Sequence, residues 1–209
     1  MRLDFNRVLN PEAVVKIRIV AILFTSFLLS GYSRAEVCSI VAKEDARWQQ
    51  LDGQYARIER ATVAKDAKRL FAVYDPDFEA HMLNGQVWKF KDSASYSTAA
   101  FDQVKENISI SNTILDLQNC GPTTLKATVL QHWSRRQMIK GQLRLFQTTT
   151  VQDETWVLVE NEWKRKFVDN LRPGVWLVDL KRIEPGKPYD PEAPAFDPHG
   201  LLRSSDRPN

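Results

Sequence analysis

Apolar positions in the first half of this chain recur at helical spacing, and in the second half at strand spacing. From Glu44 to Ala64, Trp48, Leu51, Tyr55 and Ile58 stand three and four residues apart, the stripe of an amphipathic helix. Gly53 is its one weak position. Asp66 occupies an N-cap position for a second helix whose Leu70, Phe71 and Tyr74 share a face. Pro76 cannot continue a helix and biases Asp75 away from it, which predicts the stop there. Phe78, Ala80 and Met82 then alternate with Glu79, His81 and Leu83, the period of a half-buried strand. Asn84-Gly85 is a hairpin-turn dipeptide, and Gln86 to Phe90 reads as the returning strand. Asp92 or Ser93 can cap a third helix with the stripe Tyr96, Ala100, Val104 and Ile108.

From Ser109 onward the composition is that of strands. Asn112–Gln118, Leu125–Ile139, Gln142–Val159, Trp163–Asp169 and Val175–Val178 are separated by Gly121-Pro122, Lys140-Gly141, Glu160-Asn161-Glu162 and Pro173-Gly174. Long strands joined by tight turns predict an α+β fold: a strongly bent antiparallel sheet with three helices on its concave side. Residues 185–209 break the pattern. Pro185, Pro188, Pro191, Pro194, Pro198 and Pro208 crowd a polar tail of polyproline character, in which Tyr189 and Phe196 could dock on the domain or a partner.

The N-terminus changes the charge argument. Lys16 and Arg18 precede the apolar run Ile19–Leu29, and Ser33 and Ala35 flank Arg34 in a signal-peptidase-like site. The run is too short for a membrane-spanning helix, so residues 1–35 read as a signal peptide and the domain, 36–184, as periplasmic or secreted. Val37 is bulky where a lipoprotein signal has a small residue. Removing five basic and two acidic residues takes the formal charge from +3 to zero. No clustered basic surface then points to a nucleic-acid partner, and none to a membrane after cleavage. Lys164-Arg165-Lys166 lies in alternating strand sequence and reads as solvated surface. Export makes a Cys38–Cys120 disulfide reasonable, worth about 4–5 kcal/mol in the chain-entropy model, with two separate thiols as the alternative. His81, His132 and His199 lie far apart without paired cysteines, so no metal site or cofactor is expected.

Lys65-Asp66, Leu70, Tyr74, Asp77-Phe78, Thr155-Trp156-Val157 and Glu162-Trp163 together resemble the nuclear-transport-factor-2-like superfamily, over roughly residues 43–170. Within it the chain is most similar to SnoaL-like proteins of unassigned function. The resemblance implies a cone with a pocket and a homodimer. It also permits a check against ketosteroid isomerase, which needs a carboxylate base, with a phenol and a protonated acid as hydrogen-bond donors. Laying that family member's strand over Tyr74–Gly85 puts the base at Met82 and its helix-one tyrosine at Ile58, where neither chemistry exists. Tyr55 lies one turn earlier, and Glu154 is the nearest acid to the late-strand position.

Strand parity supplies the remaining candidates. Leu125, Ala127, Val129, Gln131, Trp133 and Arg135 share a face, as do Gln152, Glu154 and Trp156 on the next strand. An inward Arg135–Glu154 pair could orient a ligand's carboxylate or carbonyl, although a strand-end ion pair near solvent accounts for the same residues. His81 and His132 have outward parity. The expected ligand site is therefore Tyr55, Met82, Phe101, Gln131, Trp133, Arg135, Glu154 and Trp156, and the expected ligand a small apolar or amphipathic molecule bound without catalysis. Two alternatives stand beside it. One is an isomerase, dehydratase or hydrolase with Glu154 and Tyr55 or Arg135 as an unusual acid–base pair. The other is a dimeric interaction module using the open sheet face.

Overall fold

Aspartates start the first two helices. In α1 (Ala46–Val63) the Asp45 side chain accepts a hydrogen bond from the Arg47 N–H at 2.8 Å, and in α2 (Ala67–Phe71) Asp66 accepts from Arg69 at 3.0 Å. These details come from a computed structural model, which describes residues 37–170, 172, 174–184, 190–192 and 195. The expected signal peptide and nearly all of the proline-rich tail, Tyr189 and Phe196 included, lie outside the described residues. Among these, no helix is long and apolar enough to cross a membrane.

α2 ends at Phe71, sooner than Pro76 suggested, because strand β2 (Tyr74–His81) has already begun. Pro76 falls where the β2 ladder is irregular, between Tyr74 and Glu79, so its missing N–H costs no regular ladder bond. After β3 (Val87–Lys89), helix α3 runs from Phe90 to Gln103. Asp92 accepts from the Lys89 N–H at 2.9 Å, acting from inside the first turn instead of as the cap. The predicted stripe of this helix is wrong. Tyr96 is exposed, Phe101 is the buried residue, and Val104 and Ile108 belong to strand β4 (Val104–Asn119), whose β-branched residues favour extension.

The sheet continues through β5 (Thr124–Ile139), β6 (Gln142–Val159) and β7 (Glu162–Asp169), then β8 (Val175–Val178) and β9 (Lys181–Ile183). With β1 (Ser39–Ile40) the order is β1-β4-β5-β6-β7-β2-β3, antiparallel except for the β2–β7 pair, which is parallel. β6 is bordered along its length by β5. Its other edge is shared: Asp153–Val159 pair with β7 and Phe146–Thr149 with β8, which leaves Thr150–Gln152 between them. Gly174 passes so close to this edge that a Cβ would sit 2.7 Å from the Thr149 carbonyl oxygen. Lys140-Gly141, Glu160-Asn161 and Asp179-Leu180 all turn with positive φ at both residues, the geometry that matches strand twist in tight hairpins. β9 was not foreseen, since Asp179-Leu180 carries none of the usual turn chemistry.

All three helices pack on one face of the curved sheet. Leu51, Tyr55 and Ile58 of α1, Leu70 and Phe71 of α2 and Phe101 of α3 share a core with Leu117, Leu125, Val129, Trp156 and Trp163. The Cys38–Cys120 disulfide fastens the start of the described chain beside the β1–β4 pairing, across 82 residues of sequence. Reduction, or Cys38→Ser with Cys120→Ser, is expected to lower unfolding free energy by about 2–5 kcal/mol. Thermal denaturation with and without reductant measures this, and coincident melting curves would contradict it.

Candidate functional site

At the inner end of the core, β6 and β7 bring a carboxylate and a guanidinium together away from water. Glu154 and Arg165 are 2 % and 3 % exposed. Tyr55 Oη and Trp156 Nε1 each donate to Glu154 Oε2 at 2.8 Å, and Gln152 Nε2 donates to Oε1 at 2.6 Å. Arg165 Nε lies 3.0 Å from Oε2, an ion pair whose N–H is not aimed for a good hydrogen bond. Its Nη1 donates to Tyr74 Oη at 3.0 Å, and its Nη2 is buried without a partner. Tyr55, Tyr74 and Trp156 surround the guanidinium, with ring centroids 5.1–5.7 Å from its carbon.

The electrostatics follow from this packing. Burial pushes the Tyr55 phenol well above its ordinary range, and the neighbouring Glu154 charge pushes it further, so Tyr55 remains a donor. Burial alone would lower the Arg165 pKa. Glu154, with Tyr74 and Tyr55, more than reverses this, and the guanidinium holds its proton more tightly than usual. A carboxyl met only by donors is satisfied as an acceptor on both oxygens. Glu154 thus accepts two hydrogen bonds on Oε2 and one on Oε1, all from side chains packed around it.

The open part of the cone lies beyond this cluster. A cavity of about 420 Å³, of a size typical for small-ligand sites, is lined by Tyr74, Phe78, Met82, Trp88, Trp133, Arg135, Phe146, Gln152, Arg165, Trp176 and their neighbours. Four of the eight predicted ligand residues are on its wall: Met82, Gln131, Trp133 and Arg135. Tyr55, Phe101, Glu154 and Trp156 are not. They have inward parity but are buried deeper, packed under α1 and α3.

The Arg135–Glu154 pair does not form. Arg135 stands opposite Phe146 and Glu154 opposite Ala127, eight positions apart along β6. Glu154 takes Arg165 instead, the residue read from sequence as solvated surface. Its shared parity with the buried Trp163 was the available signal. Trp88 of β3 and Trp176 of β8 line the cavity. His81 points away from it, with Nε2 2.9 Å from Glu79 Oε1, and His132 Nδ1 is 3.1 Å from Thr149 Oγ1.

A second, shallower groove of about 470 Å³ is lined largely by side chains of opposite parity, including Asp116, Lys126, Asp153 and Asp169. Asp153 already accepts from Thr128 at 2.6 Å and pairs with Arg172 at 2.7 Å. Among the described residues no three potential ligands gather for a metal ion.

This curved sheet with three helices over one face has the fold of the nuclear-transport-factor-2-like superfamily. Three solved structures illustrate the likeness. A conserved protein of Planctomyces limnophilus is 14 % identical, with a TM-score of 0.54 over 63 % of this chain and 98 % of its own. A candidate scytalone dehydratase of Novosphingobium aromaticivorans is 11 % identical, with a TM-score of 0.51 over 59 % and 81 %. A type 3 hexachlorocyclohexane dehydrochlorinase of Novosphingobium barchaimii is 13 % identical, with a TM-score of 0.50 over 70 % and 95 %. No family model and no curated protein sequence matches the chain. At these identities the likeness concerns fold alone.

Replacing one partner of the buried pair leaves the other charged and dry. Arg165→Met is expected to cost about 3–5 kcal/mol, and combining it with Glu154→Gln to recover a large part of that loss. Chemical denaturation of the single and double variants tests the coupling; additive losses would contradict it.

Proposed function

We propose that this chain is an exported binding domain whose cone holds a small amphipathic ligand without converting it. The supporting observation is the chemistry of the cavity wall. Among the described residues it carries aromatic and aliphatic groups, amides, hydroxyls and guanidinium groups, but no carboxylate and no imidazole. Proton abstraction from a bound molecule requires a base within hydrogen-bond reach, directly or through one water. Glu154 lies outside this wall and is held by Tyr55, Gln152 and Trp156. Export is supported by the signal-like N-terminus and by the Cys38–Cys120 bridge, a bond that persists in oxidising compartments.

An elimination enzyme is the second reading, suggested by the names of two of the structural neighbours. One local observation favours it: Tyr74 Oη, on the cavity wall, is held 3.0 Å from Arg165 Nη1 and is a group through which a proton could pass.

Small molecules co-purifying with the chain, identified by native mass spectrometry, distinguish the two readings. The binding reading expects the molecule to be recovered unchanged after incubation with fresh protein. Ser97→Trp, which fills the cavity from α3, is expected to weaken its binding by roughly tenfold or more, about 1.4 kcal/mol, with the melting temperature little changed. Turnover by the wild-type chain that disappears in Tyr74→Phe would replace this reading with the second.

A further inference from the structure

Arg135 is a buried cation that no carboxylate among the described residues accompanies. It is 7 % exposed, and its guanidinium carbon lies 3.6 Å from the ring centroid of Trp133 and 4.3 Å from that of Phe146. Its hydrogen bonds go to neutral oxygens, from Nε to Gln137 Oε1 at 2.7 Å and from Nη1 to Thr148 Oγ1 at a long 3.4 Å. Among the described residues no carboxylate forms an ion pair with it, whereas the other two arginines on the cavity wall have theirs: Arg165 with Glu154 and Arg172 with Asp153. Burial lowers the Arg135 pKa to about 10, which leaves the group charged at neutral pH.

A neutral side chain of similar length would fill this place between two aromatic rings without the cost of a dry charge. The charge is explained if its partner arrives from outside. The wall beside it is apolar and aromatic, through Phe78, Met82, Trp88 and Trp176. Arg165, the other buried arginine on the wall, stands opposite Trp156, ten positions along β6 from Arg135's partner Phe146, and its charge is taken by Glu154.

We propose that the cone binds an amphipathic carboxylate whose anion sits on Arg135 and whose apolar body lies along Phe78, Met82, Trp88 and Trp176. The inference rests on the reading of the cone as a binding site. A single negative charge matches the single uncompensated cation, and a planar carboxylate suits the guanidinium fork. A dianionic phosphate ester would bring one charge that finds no free partner.

Decanoate and decanol share an apolar body and differ in the charge. Calorimetric titration of each into the full chain is expected to show decanoate bound at least about tenfold more tightly, the worth of a charge-assisted hydrogen bond. In Arg135→Gln the difference is expected to vanish. The wild-type contrast stands as a test even if that variant folds poorly. Equal binding of the two by the wild type, or a contrast that survives Arg135→Gln, would overturn the anion seat and leave the pocket reading standing. Binding of neither would overturn both.

Discussion

Glu154 sits where no water reaches it, and four neighbours must supply what water would have given. Tyr55 comes from α1, Gln152 and Trp156 from the same strand, and Arg165 from β7. Each donor arrives along a different direction, so the cluster constrains the distance of α1 from the sheet and the alignment of β7 on β6. A hydrophobic contact tolerates sliding; a buried carboxylate with three hydrogen-bond donors and an ion-pair partner does not, because each lost partner exposes the desolvation cost of a charge. The inner end of the cone is thus defined by polar geometry, with the surrounding Leu51, Leu125, Val129 and Trp163 supplying the burial that makes it strict.

That arrangement separates two roles that the sequence had merged. Tyr55 and Glu154 carry the side chains of an acid–base pair, yet they face each other in the packed end and not the open end. The cavity is left to residues that recognise instead of react: aromatic walls, hydroxyls and amides, and two buried arginines of different standing. Arg165 belongs to the scaffold through Glu154 and Tyr74. Arg135 is held by ring faces and neutral oxygens. A scaffold shared with enzymes is in this way compatible with a wall that lacks a base.

Much of the fold could be read from local patterns. The alternation through Leu125, Ala127 and Val129 on one strand and Gln152, Glu154 and Trp156 on the next identified the inward face, because a strand's period of two leaves little choice. Asp66 and the turn at Lys140-Gly141 were equally plain, since their chemistry is local. The difficulties arose where partners are distant. Parity says that Tyr55, Trp133 and Trp156 point inward, but the depth at which the helices close over them decides which are filled core and which are cavity wall. Arg165 was hidden for another reason. Its flanking lysines look like solvent-facing strand, and a register shift near Trp156 changes which face the following residues present, so Trp163 and Val168 are both buried at opposite parity. Arg165 itself precedes the shift and keeps the parity of Trp163.

The divided edge of β6 has a mechanical consequence. Strands β7 and β8 flank the same strand but are not paired with each other among the described residues, so the sheet has a seam at Thr150–Gln152 that opens into the cavity. Across this seam the described tie is the exposed Arg172–Asp153 ion pair, with Gly174 lying against Thr149. Exposed pairs contribute little rigidity compared with a hydrogen-bonded ladder. Closure on this side therefore rests on Gly174 against Thr149 and on one exposed charge pair, which salt screens.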